Sequence, residues 1–501
     1  MVQLLKVMLW GEEIGRLAWD SRRRLAYFMY HPAFLKKGLD IAPLTAPVDG
    51  VRGRMPIWGE EGKIYQRLPA FVADSLPDAW GNQLFDLWRQ QNHLSHSDIT
   101  PLDKLSFIGK RGMGALEFLP EVSRERKAEK IDVKALADLA ERIFKDREEV
   151  RISPEESITM ESLLMVGTSA GGRQPKAIVA INRKNGEVRS GQIAGLEGYD
   201  YSLIKFGNPQ YSSAELEMTY YELATLAGIN MMPSELYRVD GINHFMTQRF
   251  DRKDGKKVHT QTLAAICPDA DSYEQLIVAC RKLHLPEADC YEVFRRMVFN
   301  ILANNTDDHN KNFSFVMDEE GNWRLAPAYD ITYILDYGGF RPNEDHCLYV
   351  RAKLRNITRD DVILFAKDNG IRRPDAIIRD VVNALRQFRV VATKHGVAER
   401  WIGRVETTIA DHLDSWGESD KQQRPSEMTM NGHVVRNIRV EQAYKGNFHL
   451  LAEIDGKERK FVIGKNKEEY AMIESTGIAH LSPEQLRTMV EKSIQYTIKK
   501  P

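Results

Sequence analysis

Cysteine is scarce: four residues in 501, at Cys267, Cys280, Cys290 and Cys347. They are too scattered for a disulfide framework, and no CxxC pair or Cys/His cluster has zinc-binding spacing. Long apolar runs are missing too. No stretch approaches the roughly 18–20 residues that a membrane helix needs. The first residues, MVQLLKVMLWGEE, run into acidic positions too early for a secretory signal. Net charge of either sign is almost absent, at −1, so no global basic field exists to hold nucleic acid non-specifically. Internal repeats and low-complexity tracts are lacking as well. These absences predict a soluble cytoplasmic protein that does not bind DNA by itself and has no membrane role.

What is present is ordinary globular texture, with 43% hydrophobic and 28% charged residues. A chain of this length predicts two or three domains. Residues 2–30 read as three short strands, with Gly11-Glu12-Glu13 turning between the first two. In 68–91 a helix opens near Pro77, with Trp80, Leu84, Leu87 and Trp88 as its apolar stripe. Residues 1–125 thus form one small α/β unit. Residues 126–274 carry a charged connecting helix, a Gly-rich loop, a strand around Lys205, a helix over 215–229 ended by Gly228, and two strands turning at Asp240-Gly241. Residues 275–417 are mainly helical. A polar segment (418–427) then leads to a separate small α/β domain, 428–501, with three alternating strands and a helix capped by Ser482. Strands first and a helical half after them is the order of an α+β, bilobal protein-kinase-like fold.

The segment 299–332 carries the most chemistry. It sets Asp307, Asp308 and Asp330, one His and several Asn among apolar stretches. Phosphoryl transfer needs a carboxylate to take the hydroxyl proton, and an amide with a second carboxylate to hold Mg²⁺. Asp307 and Asn312 have Asp-x4-Asn spacing, and Asp330 follows after a strand–turn–strand. A polar loop capping its neighbours has the same composition. This segment alone leaves both readings open.

Four ordered motifs resemble those of HipA-like serine/threonine kinases: SAGGRQPKA, YSLIKF, MTQRFDR, and TDDHNKNFSF followed by APAYDIT. FVADSLPDAWGNQLF and IGKRGMGALEF resemble that family's N-terminal subdomain, so the likeness covers roughly residues 1–410. It implies Asp307 as catalytic base and Asn312 and Asp330 as Mg²⁺ ligands. Lys205 would reach the ATP phosphates and His309 the nucleotide. Backbone groups of the Gln248–Phe250 hinge would bind adenine, and Gln261 would add a further contact. Glu217 would orient Lys205, although an exposed helical glutamate fits the same pattern. The loop Ser169, Ala170, Gly171, Gly172, Arg173, Gln174 to Lys176 would bind phosphates; its glycines equally suit a plain turn. It matches neither the Walker nor the GxGxxG pattern. Ser169 stands at the family's autophosphorylation site, with Thr168 a second acceptor.

The resemblance further implies a toxin of a toxin–antitoxin pair, inhibiting growth by phosphorylating a protein such as an aminoacyl-tRNA synthetase. Its partner would be a HipB-like helix-turn-helix antitoxin, with DNA met only through that partner. An idle kinase-fold scaffold or co-repressor is the alternative. A complete set of Asp307, Asn312, Asp330 and Lys205 favours activity. A small-molecule kinase of the aminoglycoside or choline type shares the metal logic but not the loop or the N-terminal motifs. The chain departs from the family in its last 80 or so residues, in which no chemistry is legible.

Overall fold

The computed structural model describes residues 2–49, 52–95, 99–122, 130–145, 156–167, 174–192, 195–334, 344–417, 428–430, 433–442, 448–454, 457–463, 470 and 488–489. The chain divides into two compact units, Met1–Trp416 and Gly417–Pro501.

The first sheet contains β1 (Leu4–Leu9), β2 (Glu12–Asp20), β3 (Leu25–Tyr30), β4 (Ile57–Trp58) and β5 (Leu116–Leu119), in the order β4-β3-β2-β1-β5. Alternation decides its faces: Leu5, Val7 and Leu9 are buried while Leu4 is exposed. The first turn is tighter than the sequence predicts. Trp10 and Gly11 both have positive φ, at 49° and 83°, and Glu12 already belongs to β2.

The second sheet contains β6 (Lys176–Asn182), β7 (Val188–Ser190), β8 (Tyr199–Lys205), β9 (Ser234–Val239) and β10 (Ile242–Gln248), in the order β7-β6-β8-β10-β9. The helix Ser213–Leu226 leaves the end of β8 and returns the chain to β9. Asp240 and Gly241 turn β9 into β10 with φ values of 50° and 83°. A small ribbon, β11 (Arg252–Lys253) and β12 (Lys256–Lys257), leads into β13 (His259–Thr262). The helical half follows, with helices Tyr273–Lys282, Glu287–Leu302, Arg359–Asp368, Pro374–Leu385, Phe388–His395 and Glu399–Ser415. Between the second and third of these, β14 (Ser314–Met317) and β15 (Trp323–Leu325) form a hairpin that β13 extends. The architecture is the bilobal kinase-like one expected.

The N-terminal region is not a separate globule. Phe28, Phe71 and Phe118 belong to the same apolar core as Phe294 and Phe299 of the helical lobe. Each such fully buried ring contributes roughly 1.5–3 kcal/mol of transfer free energy. The helix Ala79–Gln91 joins a second core, placing Trp80, Leu84 and Phe85 against Val179, Ile204 and Met246 of the second sheet. Close approach there requires Gly167: a Cβ would lie 2.7 Å from Leu84 Cδ1 and 3.2 Å from Trp80 Nε1.

In the second unit, β16 (Met428–Met430), β17 (His433–Gln442), β18 (Phe448–Ile454) and β19 (Lys457–Ile463) form an antiparallel sheet in sequence order. It has one strand more than the sequence predicts. The expected helix beginning at Ser482 and the linker 418–427 lie outside the described residues, apart from residues 488–489.

Candidate functional site

Two lysines open the site. Lys176 starts β6, Lys205 ends β8, and the antiparallel register sets them opposite each other. Both are buried, at 3% and 6% exposure. Uncompensated ammonium groups do not survive there, and two carboxylates answer them. The Lys205 ammonium pairs with Glu217, in the first turns of the following helix, and with Asp330. Glu217 is 4% exposed, not a solvated surface residue. The Phe245 ring lies beneath the Lys205 ammonium, 5.8 Å from it.

The protonation states follow. Burial disfavours the Lys205 charge, yet Asp330 and then Glu217 carry its pKa above the ordinary lysine value. Lys176 goes the other way: burial lowers its pKa, Asp330 opposes that shift and Lys205 adds to it. Burial raises Glu217, with Lys205 opposing. Asp330 resists burial because Lys205 and Lys176 hold its carboxyl well below the usual range. It is therefore ionised, on a backbone at φ 53° that aspartate tolerates better than most residues.

The second half of the site comes from the turn after the helix Glu287–Leu302. Asn312 donates through Nδ2 to the Asp307 carbonyl at 2.7 Å, closing the Asp-x4-Asn loop. His309 accepts the Lys311 amide on Nδ1 at 3.2 Å, capping the short 3-10 turn Asn310–Asn312. Its Nε2 lies 3.8 Å from Asp307 Oδ1. The Asp307 side chain is 56% exposed, so an incoming hydroxyl has access to it. Tyr329, next to Asp330, donates to the Lys311 carbonyl at 2.8 Å and lies 2.6 Å from Ser314 Oγ, tying the two segments together.

Sequence reasoning named Asp307 and gave its neighbour Asp308 no role; the structure gives the two carboxylates different surroundings. Asp308 is 1% exposed and accepts from Tyr273 Oη at 2.7 Å, the Cys347 amide at 2.7 Å and His346 Nδ1 at 3.0 Å. Asn300 donates to the same Tyr273 oxygen and accepts from Asn305, so the loop stands on a buried polar network. Lys311 also went unnoticed; it pairs with Asp78 of the N-terminal region. Neither contact has a local sequence signal, because the partners lie far apart in the chain.

The hinge segment holds another buried knot. Arg249 makes a bidentate pair with Asp251 at 2.8 and 2.7 Å, and Arg252 and the Gly114 amide bind the same carboxylate. Despite burial, the two guanidinium groups hold Asp251 far below the usual carboxylate range. Gln248 ends β10, donating its amide to the Pro233 carbonyl at 2.9 Å. Phe250 packs on Tyr329 with ring centroids 5.6 Å apart. Gln174 donates to the Phe206 carbonyl at 3.1 Å. Thr168, Ser169, Ala170, Gly171, Gly172 and Arg173 lie outside the described residues.

Gln261 corrects an expectation. Its side chain is fully buried, and its amide nitrogen donates to the Ile41 carbonyl at 3.0 Å. A group with no accessible surface and a committed donor does not reach a nucleotide.

The donor chemistry suits a hard cation. Asn312 commits its amide nitrogen and so offers its oxygen, while Asp330 is an ionised carboxylate. Two oxygen ligands plus substrate phosphates and water is the manner in which Mg²⁺ is held. Among the described residues no group of three or more His, Cys, Asp or Glu forms a protein-only cage. No described helix is long and apolar enough to cross a membrane.

Comparison with known proteins agrees with this geometry. The family model for the HipA N-terminal domain matches residues 5–119, and that for the HipA-like C-terminal domain matches 168–388. Together they span more than half of the chain. Y4mE of Sinorhizobium fredii, which is named a kinase, is 26% identical over 187 residues, 32% of this chain and 42% of that protein. The chain thus spans less than half of the length of Y4mE. The serine/threonine-protein kinase toxin HipA of Shewanella oneidensis is 22% identical over 359 residues, 65% of this chain and 74% of the toxin. A chain in the solved complex of toxin–antitoxin system proteins HipA and HipB with operator DNA, from S. oneidensis MR-1, shares the fold. Its TM-score is 0.60 at 17% identity, covering 85% of this chain and 100% of that one. This chain belongs to the HipA-like family.

Proposed function

We infer that the protein is an ATP- and Mg²⁺-dependent serine/threonine protein kinase acting as the toxin of a toxin–antitoxin pair. The observation that carries this reading is Lys205 buried between Glu217 and Asp330, beside the loop that Asn312 closes onto Asp307. Lys176 and Lys205 bind phosphate oxygens, and Glu217 keeps Lys205 aimed. Asp307 accepts the proton of the attacking hydroxyl as its oxygen bonds to phosphorus and the bond to the leaving oxygen breaks. Asn312 and Asp330 hold Mg²⁺, which supplies neutralisation of phosphate charge. Backbone groups at Gln248–Phe250 take the adenine, and His309 contacts the nucleotide.

The substrate is a serine or threonine of another protein, with an aminoacyl-tRNA synthetase the class that the family suggests. A HipB-like antitoxin is the partner, and DNA is met through it. Self-phosphorylation at Ser169, with Thr168 the second acceptor, switches the enzyme off. A phosphate there adds about −1.5 to −2 charges beside those of ATP.

Two measurements test this. Excess EDTA abolishes turnover; undiminished turnover rules out the metal site. Mass spectrometry finds one phosphate on Ser169 in active protein and none in Asp307→Gln. Full phosphorylation of Ser169 with unchanged ATP affinity contradicts the switch.

A further inference from the structure

The helix Ala79–Gln91 begins at Asp78, a residue type strongly favoured as an N-cap because its carboxylate accepts the orphan amides of the first turn. Asp78 makes no such side-chain hydrogen bond. Its carboxylate is instead paired with Lys311, in the turn that joins Asp307 to Asn312. Two positions on, Trp80 Nε1 donates to the Lys176 carbonyl at 3.1 Å, at the start of β6. One turn of the N-terminal region therefore holds both the strand that bears Lys176 and the loop that bears Asp307. The turn has side-chain bonds of its own besides the Asp78–Lys311 pair. Asn82 Nδ2 donates to the Pro77 carbonyl at 2.6 Å, and Lys104 donates to Asn82 Oδ1 at 2.9 Å.

We propose that Asp78 is a positioning residue of the transfer site: through Lys311 it sets the Asp307–Asn312 loop relative to the β6 lysine, so the N-terminal region is part of the catalytic framework. This rests on the kinase reading above. The pair is two-thirds or more buried on each side, with side chains 28% and 22% exposed, so solvent screens it only in part. The loop's other supports, the Asp308 network and the Tyr329 bond to the Lys311 carbonyl, hold its backbone from beneath. Asp78 supplies a restraint from the N-terminal region. The Asp78 charge also reaches Lys176. Removing it leaves the base less well placed and, at Lys176, takes away one of the charges that favour the ammonium form.

The test uses the full chain and its magnesium-dependent self-phosphorylation, comparing wild type with Asp78→Asn and Asp78→Glu. Misplacement of a reacting group by about 1 Å costs up to about 100-fold in rate. Asp78→Asn is expected to lower kcat about 10- to 100-fold, with KM for ATP changed by no more than about threefold and melting temperature lowered by no more than a few degrees. Asp78→Glu recovers most of the rate. Asp86→Asn on the same helix, whose partner is Arg89, leaves kcat as it was. Unchanged kcat in Asp78→Asn, or a loss that Asp78→Glu does not relieve and that tracks melting temperature, overturns the inference. Amide hydrogen exchange over residues 307–313 separates this from the kinase reading. Faster exchange in Asp78→Asn supports the contact even if wild type transfers no phosphate; unaltered exchange overturns it even if wild type is active.

Discussion

Lys176 and Lys205 are direct cross-strand partners, so their side chains leave the β6–β8 ladder on the same face. Like charges placed opposite each other weaken a sheet, and burial makes the arrangement costlier still. Glu217 and Asp330 offset that cost from a helix and a loop that are distant in sequence. Two cations held together against their own repulsion are apt for a ligand with several negative oxygens.

Lys205→Ala is expected to lose nucleotide binding and also stability, by about 3–5 kcal/mol, because Glu217 is left buried without its cation. Lys205→Met combined with Glu217→Leu removes both charges and regains most of that stability, but not nucleotide binding. Urea denaturation and ATP titration measure the two effects separately. If the double variant is no more stable than Lys205→Ala, the ion pair is not what holds Glu217 in place.

Burial, reinforced by the charge of Asp49, raises Asp40 from 3.8 to about 6, against the pull of the Ala42 and Val48 amides. The folded state thus holds this proton more tightly than the unfolded one. The stability Asp40 contributes is complete below pH 3.8 and is lost as pH rises through about 6. Asp40→Asn should therefore melt higher than wild type at pH 7.5, the difference closing at the acid end. A variant less stable than wild type at pH 7.5 contradicts the assignment.

The fold was legible where pattern is local. Alternation marked β1 to β3, Asp240-Gly241 marked the turn into β10, and Gly228, at φ 81°, marked the end of the helix Ser213–Leu226. The first turn was misplaced because Trp10 adopts a positive φ that no propensity favours. The residues gathered around Lys205 stood out in sequence through their spacing and the family likeness. Asp308 and Lys311 did not, since their meaning depends on Tyr273, His346 and Asp78, which only the tertiary fold brings near. Gln261 was named from the family likeness alone, which carries no information on its surroundings; its side chain is buried and donates to Ile41.

The chain divides after Trp416, and the described site residues all precede that point. Deleting residues 418–501 should leave magnesium-dependent ATP binding within about threefold of that of the full chain, because the residues assigned to ATP all lie in the first unit. Calorimetric titration measures it. A folded truncation that binds no ATP shows that the second unit contributes to the site.

Phosphate incorporation from γ-labelled ATP into wild-type protein and a folded Asp307→Gln variant tests the central claim most directly. The account predicts magnesium-dependent labelling in the wild type and its loss, by a factor of about 100 or more, in the variant. Labelling of Asp307→Gln at the wild-type rate would contradict it.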